Sequence, residues 1–157
     1  MNKNILLGKG LENLPFGISK EEFEKTLGKP DDIEIYEDDE YGITENWHYD
    51  AFELSATFED VDGLILTNLA VSSPEFTFDG SDFINRSLEE VIQQIELLDL
   101  GEIEIDNMNE EGEEDLSQIM VSIPDVSLNL WFDDGVLTEI LWAPFWDEEE
   151  EEFIWPE

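Results

Sequence analysis

Two segments of the chain carry the same structural signals in the same order, and this order restricts the possible folds more than any other feature. Each segment begins with a Ser followed three residues later by a Glu, the capping box of a helix N-terminus. The two pairs are Ser19 with Glu22 and Ser87 with Glu90. Apolar residues at helical spacing follow each pair, and a glycine follows each apolar stripe. The sequence therefore predicts one helix near the start of each segment.

Strand signals follow both predicted helices. Ile-Glu-Ile occurs at 33–35 and again at 103–105, and this alternation is typical of a half-buried strand. An Asp-Gly pair between alternating apolar residues, at 62–63 and at 134–135, predicts a hairpin. A further strand is expected before each hairpin, at 45–49 and at 119–123.

These signals predict an α+β fold, a tandem repeat of a helix plus an antiparallel three- to four-stranded sheet. The predicted organisation is a single domain of two pseudo-repeats, 11–73 and 83–146. A connector at 74–82 joins them, and an acidic tail at 147–157 follows. The tail contains six consecutive acids, which we expect to be solvated.

Charge is the feature that most restricts function. The chain has 43 acidic and 6 basic residues, a formal charge of −37, and Arg86 is the only base after Lys29. With no basic patch to displace counterions, binding to nucleic acid or to an anionic membrane is excluded. A hydrophobic fraction of 41% with ten Phe and five Trp favours a packed core over disorder. A basic protein partner, a divalent cation or solubility alone remain as explanations of the charge.

The sequence lacks features of disulfide scaffolds, secretion and membrane insertion. It contains no Cys, and its N-terminal apolar run of three residues is too short for a signal peptide. No apolar stretch approaches the length of a membrane span. We expect a cytoplasmic protein without a cofactor, either a monomer or a weak dimer.

Catalytic signals are weak. The single histidine, His48, lies between Trp47 and Tyr49 in a predicted strand, where a packed or partly exposed side chain is more common than a general base. No Gly-x-Ser-x-Gly nucleophile motif is present. Among 43 acids some pair meets any distance criterion by chance, so a carboxylate-dependent hydrolase is the lowest-ranked alternative. The protein is predicted not to be an enzyme.

One acidic stretch partly matches a calcium-binding loop. Residues 107–118 align with an EF-hand loop, but the first position is Asn107 and the last is Gln118. An EF-hand requires a bidentate Glu at the last position and helices on both sides, whereas strands are predicted here. The sequence therefore predicts weak, non-specific cation binding and no dedicated metal site.

Candidate partner-binding residues fall into an acidic and an aromatic group. An acidic loop follows the Ile-Glu-Ile strand in each segment, and carboxylates fixed on a rigid surface attract basic surfaces and take the place of phosphates. The acidic candidates are Asp38, Asp39 and Glu40 in the first loop and Glu110, Glu111, Glu113, Glu114 and Asp115 in the second. Trp142 and Trp146 flank a Pro at 144. They are either an exposed anchor for a partner or an aromatic lid on the second sheet.

The sequence also resembles a known class of proteins. The residues that carry the resemblance are LPFGIS at 14–19, LGKPD at 27–31, WHY at 47–49 and the hairpin beginning FED at 58–60. They are similar to small acidic bacterial immunity proteins of polymorphic toxin systems, over most of 11–146. The tandem helix-plus-sheet layout resembles the beta-lactamase inhibitor protein architecture, in which two similar units present a sheet surface to an enzyme.

This resemblance implies a non-catalytic immunity or inhibitor protein. Such a protein would neutralise a basic toxin enzyme, with a nuclease as one candidate, by occluding it with an acidic surface. The alternative is a general acidic or cation-binding interaction module without a toxin target.

Overall fold

Strands dominate the part of the chain that the computed structural model describes, which comprises residues 3–40, 42–61, 63–78, 80–107 and 118–156. Its α-helices are α1 (Lys20–Leu27) and α2 (Leu88–Leu98), and a 3-10 turn occupies Pro124–Val126. The strands are β1 (Gly10–Leu11), β2 (Leu14–Pro15), β3 (Asp32–Asp38), β4 (Gly42–Tyr49), β5 (Leu54–Asp60), β6 (Leu64–Val71), β7 (Thr77–Phe78), β8 (Ser81–Asp82), β9 (Glu104–Asn107), β10 (Gln118–Ile123), β11 (Leu128–Asp133), β12 (Val136–Trp142), β13 (Phe145–Asp147) and β14 (Glu152–Ile154).

Eight of these strands form one antiparallel sheet in the order β3-β4-β5-β6-β12-β11-β10-β9. The join in its middle is the pairing of β12 with β6, through Ile140 with Val71, Leu141 with Ala70 and Trp142 with Leu69. The remaining strands form three two-stranded ribbons, β1-β2, β7-β8 and β13-β14.

The predicted fold class is therefore wrong. Instead of an α+β tandem repeat of a helix plus a small sheet, the described part of the chain is mostly β, with 50% strand and 16% helix. The physical reason lies in the central join, where Leu69, Val71 and Ile140 are all buried. Pairing β6 with β12 buries these apolar residues and removes two exposed sheet edges. Local sequence signals do not contain this long-range pairing.

The local predictions for the helices are confirmed. The Ser19 hydroxyl accepts the N–H of Glu22 at 3.2 Å, and the Ser87 hydroxyl accepts the N–H of Glu90 at 3.2 Å. The α1 helix ends at Gly28, whose φ of 96° is in the left-handed region that glycine adopts at low cost. The predicted strands at 33–35, 45–49 and 119–123 lie within β3, β4 and β10, and the one at 103–105 overlaps β9 from Glu104. The Ile-Glu-Ile strands are predicted to be half-buried, which is wrong: every described residue of β3 and β9 is exposed, because both strands lie at edges of the sheet.

The hairpin predictions have two outcomes. The Asp134-Gly135 turn connects the paired strands β11 and β12, which confirms the second hairpin. Strands β5 and β6 also pair antiparallel, although Asp62 of the first predicted turn lies outside the described residues.

The core lies on one face of the sheet. Phe23 of α1 and Val91 and Ile95 of α2 join a single cluster with the inward-facing strand residues. The Phe23 ring meets that of Phe58 edge-on, with centroids 5.2 Å apart. Ile5 and Phe16 near the N-terminus and Phe76 of the connector belong to this same cluster, and Phe78 and Trp155 pack against it. Both helices and these segments therefore cover the same face.

The C-terminal tail folds back as the β13-β14 hairpin. The Trp146 and Phe153 rings pack edge-on at 5.1 Å, and the Asp147 carboxylate accepts the N–H of Glu149 at 3.0 Å. Trp155 lies so close to Gly17 that a Cβ there would be 3.1 Å from the indole. Residues 148–152 are exposed, as predicted for the acidic run.

Neither helix in the described part of the chain has both the length and the apolar character needed to cross a bilayer.

Candidate functional site on the open face of the sheet

The second face of the eight-stranded sheet, here called the open face, is the candidate site. Strand side chains alternate between the two faces, and the helices and the N- and C-terminal segments pack on the core face. The open face carries carboxylates from both ends of the sheet and from its centre. Those of the described residues are Asp32, Glu34, Asp38, Glu59, Glu104, Asp106, Asp133 and Glu139.

The open face has no fixed positive charge to balance these acids. All six Lys and Arg residues of the chain lie outside the eight strands. They are Lys3, Lys9, Lys20, Lys25, Lys29 and Arg86. His48 is the one histidine of the chain. The face therefore has a strongly negative field across its whole width.

A hollow of about 520 Å³ lies on this face. Its floor is formed by three neighbouring strands, through Ser55 of β5, Ala70 of β6 and Glu139 of β12. Its acidic lining residues are Asp32, Glu34, Asp50, Glu53 and Glu139. The size and lining suit a cationic side chain such as that of Lys or Arg, whose charge the carboxylates would balance.

A chain of hydrogen bonds crosses three strands beside the hollow. The Nε2 atom of His48 lies 2.7 Å from Glu34 Oε1, and its Nδ1 atom lies 2.8 Å from the Ser55 hydroxyl. Hydrogen bonds from the Tyr36 hydroxyl and from His48 lower the pKa of Glu34. Glu34 is therefore held ionised, and it orients the imidazole across β4.

The Glu34–His48–Ser55 order matches that of a serine hydrolase, but the surroundings do not. A serine nucleophile needs nearby N–H donors that point at the developing oxyanion. Ser55 lies inside β5, between its partners His48 on β4 and Ala70 on β6, where backbone groups bond to neighbouring strands. Glu34, His48 and Ser55 therefore form a polar ladder across three strands.

Glu139 is the half-buried acid on the floor of the hollow. Burial raises its pKa, because desolvation disfavours the charged form. A cation entering the hollow would offset this desolvation. The ionisation of Glu139 is therefore linked to the arrival of a positive group.

We expect Glu139→Gln to stabilise the protein at neutral pH by about 0.5 kcal/mol. Because the folded-state pKa lies above the unfolded value, ionised Glu139 opposes folding at pH above its folded-state pKa, and this cost disappears below pH ~4.5. Urea unfolding at pH 7 and at pH 4 measures the difference. Glu59→Gln, on the same face, is the control for loss of charge alone. An equal gain at both pH values would contradict the assignment.

The structure separates the acidic partner-binding candidates. Asp38, Asp39 and Glu40 are exposed at the end of β3, and the Asp38 carboxylate accepts the N–H of Glu40 at 2.8 Å. The first acidic loop thus continues the acidic rim of the open face. The candidates of the second loop lie outside the described residues: Glu110, Glu111, Glu113, Glu114 and Asp115.

The two tryptophans also have different surroundings. Trp142 is 1% exposed, and its indole N–H donates to the Gly10 carbonyl at 3.3 Å. It is a core residue rather than a partner contact, because it is buried in the hydrophobic cluster beneath the central join of the sheet. Trp146 is 49% exposed and lies in the C-terminal hairpin, outside the eight-stranded sheet.

Sequence reasoning overlooked the acids of the open face. Glu34, Glu59 and Glu139 occupy the polar positions of alternating strands, a signal already present in the sequence. This signal was not enough to group the acids, because the strand order puts them on one surface and depends on long-range pairing.

No group of three or more His, Asp or Glu side chains within the described ranges is placed to hold a metal ion. The two ends of the partial EF-hand match, Asn107 and Gln118, lie in strands β9 and β10. The intervening residues, 108–117, lie outside the described residues.

The sequence matches no known family model, and comparisons with curated proteins and with solved structures gave no significant match.

Proposed function

We propose that this protein is a non-catalytic binding protein that neutralises a basic protein, of the toxin-enzyme class, by docking it on the open face. One observation carries the proposal. The open face presents carboxylates from one edge strand to the other, and all Lys and Arg residues lie outside its strands. Such a field speeds encounter with a basic surface and disfavours acidic partners.

The size of the open face supports a stable complex. Eight strands spaced about 4.8 Å apart make a surface ~34 Å wide, and strands of six residues make it ~20 Å long. The resulting ~700 Å² is close to the ~800 Å² that each partner buries in a standard protein interface. The hollow within this area offers a recess for a basic anchor residue.

A nuclease is the favoured partner within this class. Nuclease clefts bind phosphates with Lys and Arg side chains, and the same side chains pair with carboxylates. Occupying such a cleft with the open face would block substrate entry without any chemistry by this protein.

The proposal is tested with the protein domain encoded immediately upstream of this gene, which is assayed for toxicity on expression and for binding to the parent protein. The face variant combines Glu59→Gln, Asp106→Asn and Glu139→Gln, whereas the tail control combines Glu148→Gln, Glu149→Gln and Glu150→Gln. Both variants lose three negative charges at exposed or half-buried sites. We expect the face variant to associate about tenfold more slowly at low salt, and the tail control to match the parent in stopped-flow association.

Two results would contradict the proposed function. The first is an upstream domain that is neither toxic on expression nor bound by the parent protein. The second is a face variant that associates as fast as the tail control, which would make solubility the role of the charge.

A further inference from the structure

The β3 strand forms an edge of the sheet with an unused side. It pairs with β4 along all seven residues, from Asp32 with His48 to Asp38 with Gly42. No strand among the described residues pairs with its other side, and every residue of β3 is exposed. Within the described part of the chain, that side of β3 therefore has no strand partner.

The side chains of β3 give this edge two different faces. Asp32, Glu34 and Asp38 lie on the open face, in line with the other acids. Tyr36, which is 53% exposed, lies between Glu34 and Asp38 on this face. On the opposite face, Ile33 is 43% exposed and Ile35 is 60% exposed, and Glu37 follows them. An exposed edge that carries large apolar side chains is a template for pairing with a further strand.

We propose that the free edge of β3 pairs with an extended segment of the basic partner in which Lys or Arg alternates with apolar residues. This inference rests on the proposed function and names the element of the partner that is recognised. The basic side chains would face Asp32, Glu34 and Asp38, while the apolar ones would cover Ile33 and Ile35. Backbone hydrogen bonds then provide affinity, and the alternation provides specificity.

Charge complementarity selects this occupant over a second copy of the chain. If two β3 strands paired antiparallel about Ile35, Asp32 of each copy would lie opposite Asp38 of the other. Like charges directly opposite each other destabilise a strand pair. In this register the Asp32–Asp38 pairs therefore oppose self-association of the edge while leaving it open to a basic strand.

The other edge strand is a poorer candidate. Strand β9 repeats the pattern, with Glu104 and Asp106 on the open face and Ile105 on the other, over the four residues for which the structure describes it. These four residues provide fewer backbone hydrogen bonds and fewer cross-strand pairs than the seven of β3.

The test uses two synthetic peptides of identical composition. One, Lys-Val-Lys-Val-Lys-Val-Lys, alternates; the other, Lys-Lys-Val-Val-Val-Lys-Lys, does not. Both carry the same charge, so electrostatic attraction alone binds them equally. We expect the alternating peptide to bind about tenfold tighter by calorimetry and to protect the β3 amides from hydrogen exchange. In the double variant Ile33→Ser and Ile35→Ser, this preference should disappear while the weaker, charge-driven binding remains.

The outcomes separate this inference from the proposed function. Equal binding of the two peptides, or protection that spares β3, overturns the edge-strand inference. If, in addition, the face variant binds both peptides more weakly than the parent and by the same factor, the open face binds basic groups through charge alone. The proposed function then stands without the edge strand. If the two peptides bind equally to the parent, and the face variant binds them as tightly as the parent does, the result counts against the edge-strand inference and against the proposed function.

Discussion

Replacing Phe58 with Ala is expected to destabilise the protein by about 3–5 kcal/mol. Phe58 is fully buried between α1 and the sheet, with its ring centroid 5.2 Å from that of Phe23 and 4.7 Å from that of Trp47. Truncation removes these aromatic contacts and leaves a cavity that the neighbouring rings cannot fill. Urea unfolding measures the loss. Ile35→Ala, on the exposed β3 strand, is the matched control and should change stability by about 0.5 kcal/mol or less.

A loss below about 1 kcal/mol for Phe58→Ala would show that the site collapses around the smaller side chain. The packing of α1 on the sheet would then be looser than the ring geometry implies.

Replacing Glu45 with Ala is expected to have the second largest effect, a loss of about 3 kcal/mol. Glu45 is 7% exposed and lies on the core face of the sheet. Its carboxylate accepts hydrogen bonds from Lys20 Nζ at 2.9 Å and from the Trp47 indole N–H at 3.0 Å. Without it, the indole N–H is buried with no acceptor, and α1 loses its ion pair to β4.

The ionised carboxylate of Glu45 stabilises the folded state, whereas that of Glu139 destabilises it, so the two substitutions have opposite dependences on pH. Burial raises the pKa of Glu45, but hydrogen bonds from Trp47 and Lys20 outweigh burial, and the net shift is downward. A lowered folded-state pKa means that the stabilisation is present above pH ~4.5 and lost as pH falls through the folded value. Unfolding at pH 7 and at pH 3 should show the Glu45→Ala penalty shrinking in acid. A penalty that is constant with pH would contradict the role of the ionised carboxylate.

The sequence predicted local structure better than it predicted the assembly of the sheet. Capping at Ser19 and Ser87 and the turn at Asp134-Gly135 depend on residues within a few positions of one another, and these predictions are confirmed. The β6–β12 pairing joins residues about seventy positions apart. No local sequence feature distinguishes a strand edge that pairs with a distant strand from an edge that stays unpaired. The sequence therefore predicted two small sheets in place of one eight-stranded sheet.

The same limit explains the outcomes at the candidate site. Alternation divides each strand into two faces but does not say which face the helices cover, so the acids at 34, 59 and 139 were not grouped. Trp142 illustrates the converse difficulty, since an aromatic residue beside a proline suits an anchor or a core position equally. Its burial depends on the approach of Gly10, a residue 132 positions away along the chain.

The central join of the sheet also governs when the molecule becomes complete during synthesis. Strand β6 gains its partner only when β12 leaves the ribosome, because residues 69–71 pair with residues 140–142. A nascent chain that ends before β12 has a four-stranded sheet whose β6 edge is apolar and unpaired. Contacts of such high sequence separation form slowly, and exposed edges of this kind are prone to aggregation. The dense negative charge of the chain would keep nascent molecules apart during that interval, since like-charged chains repel each other before their edges can meet.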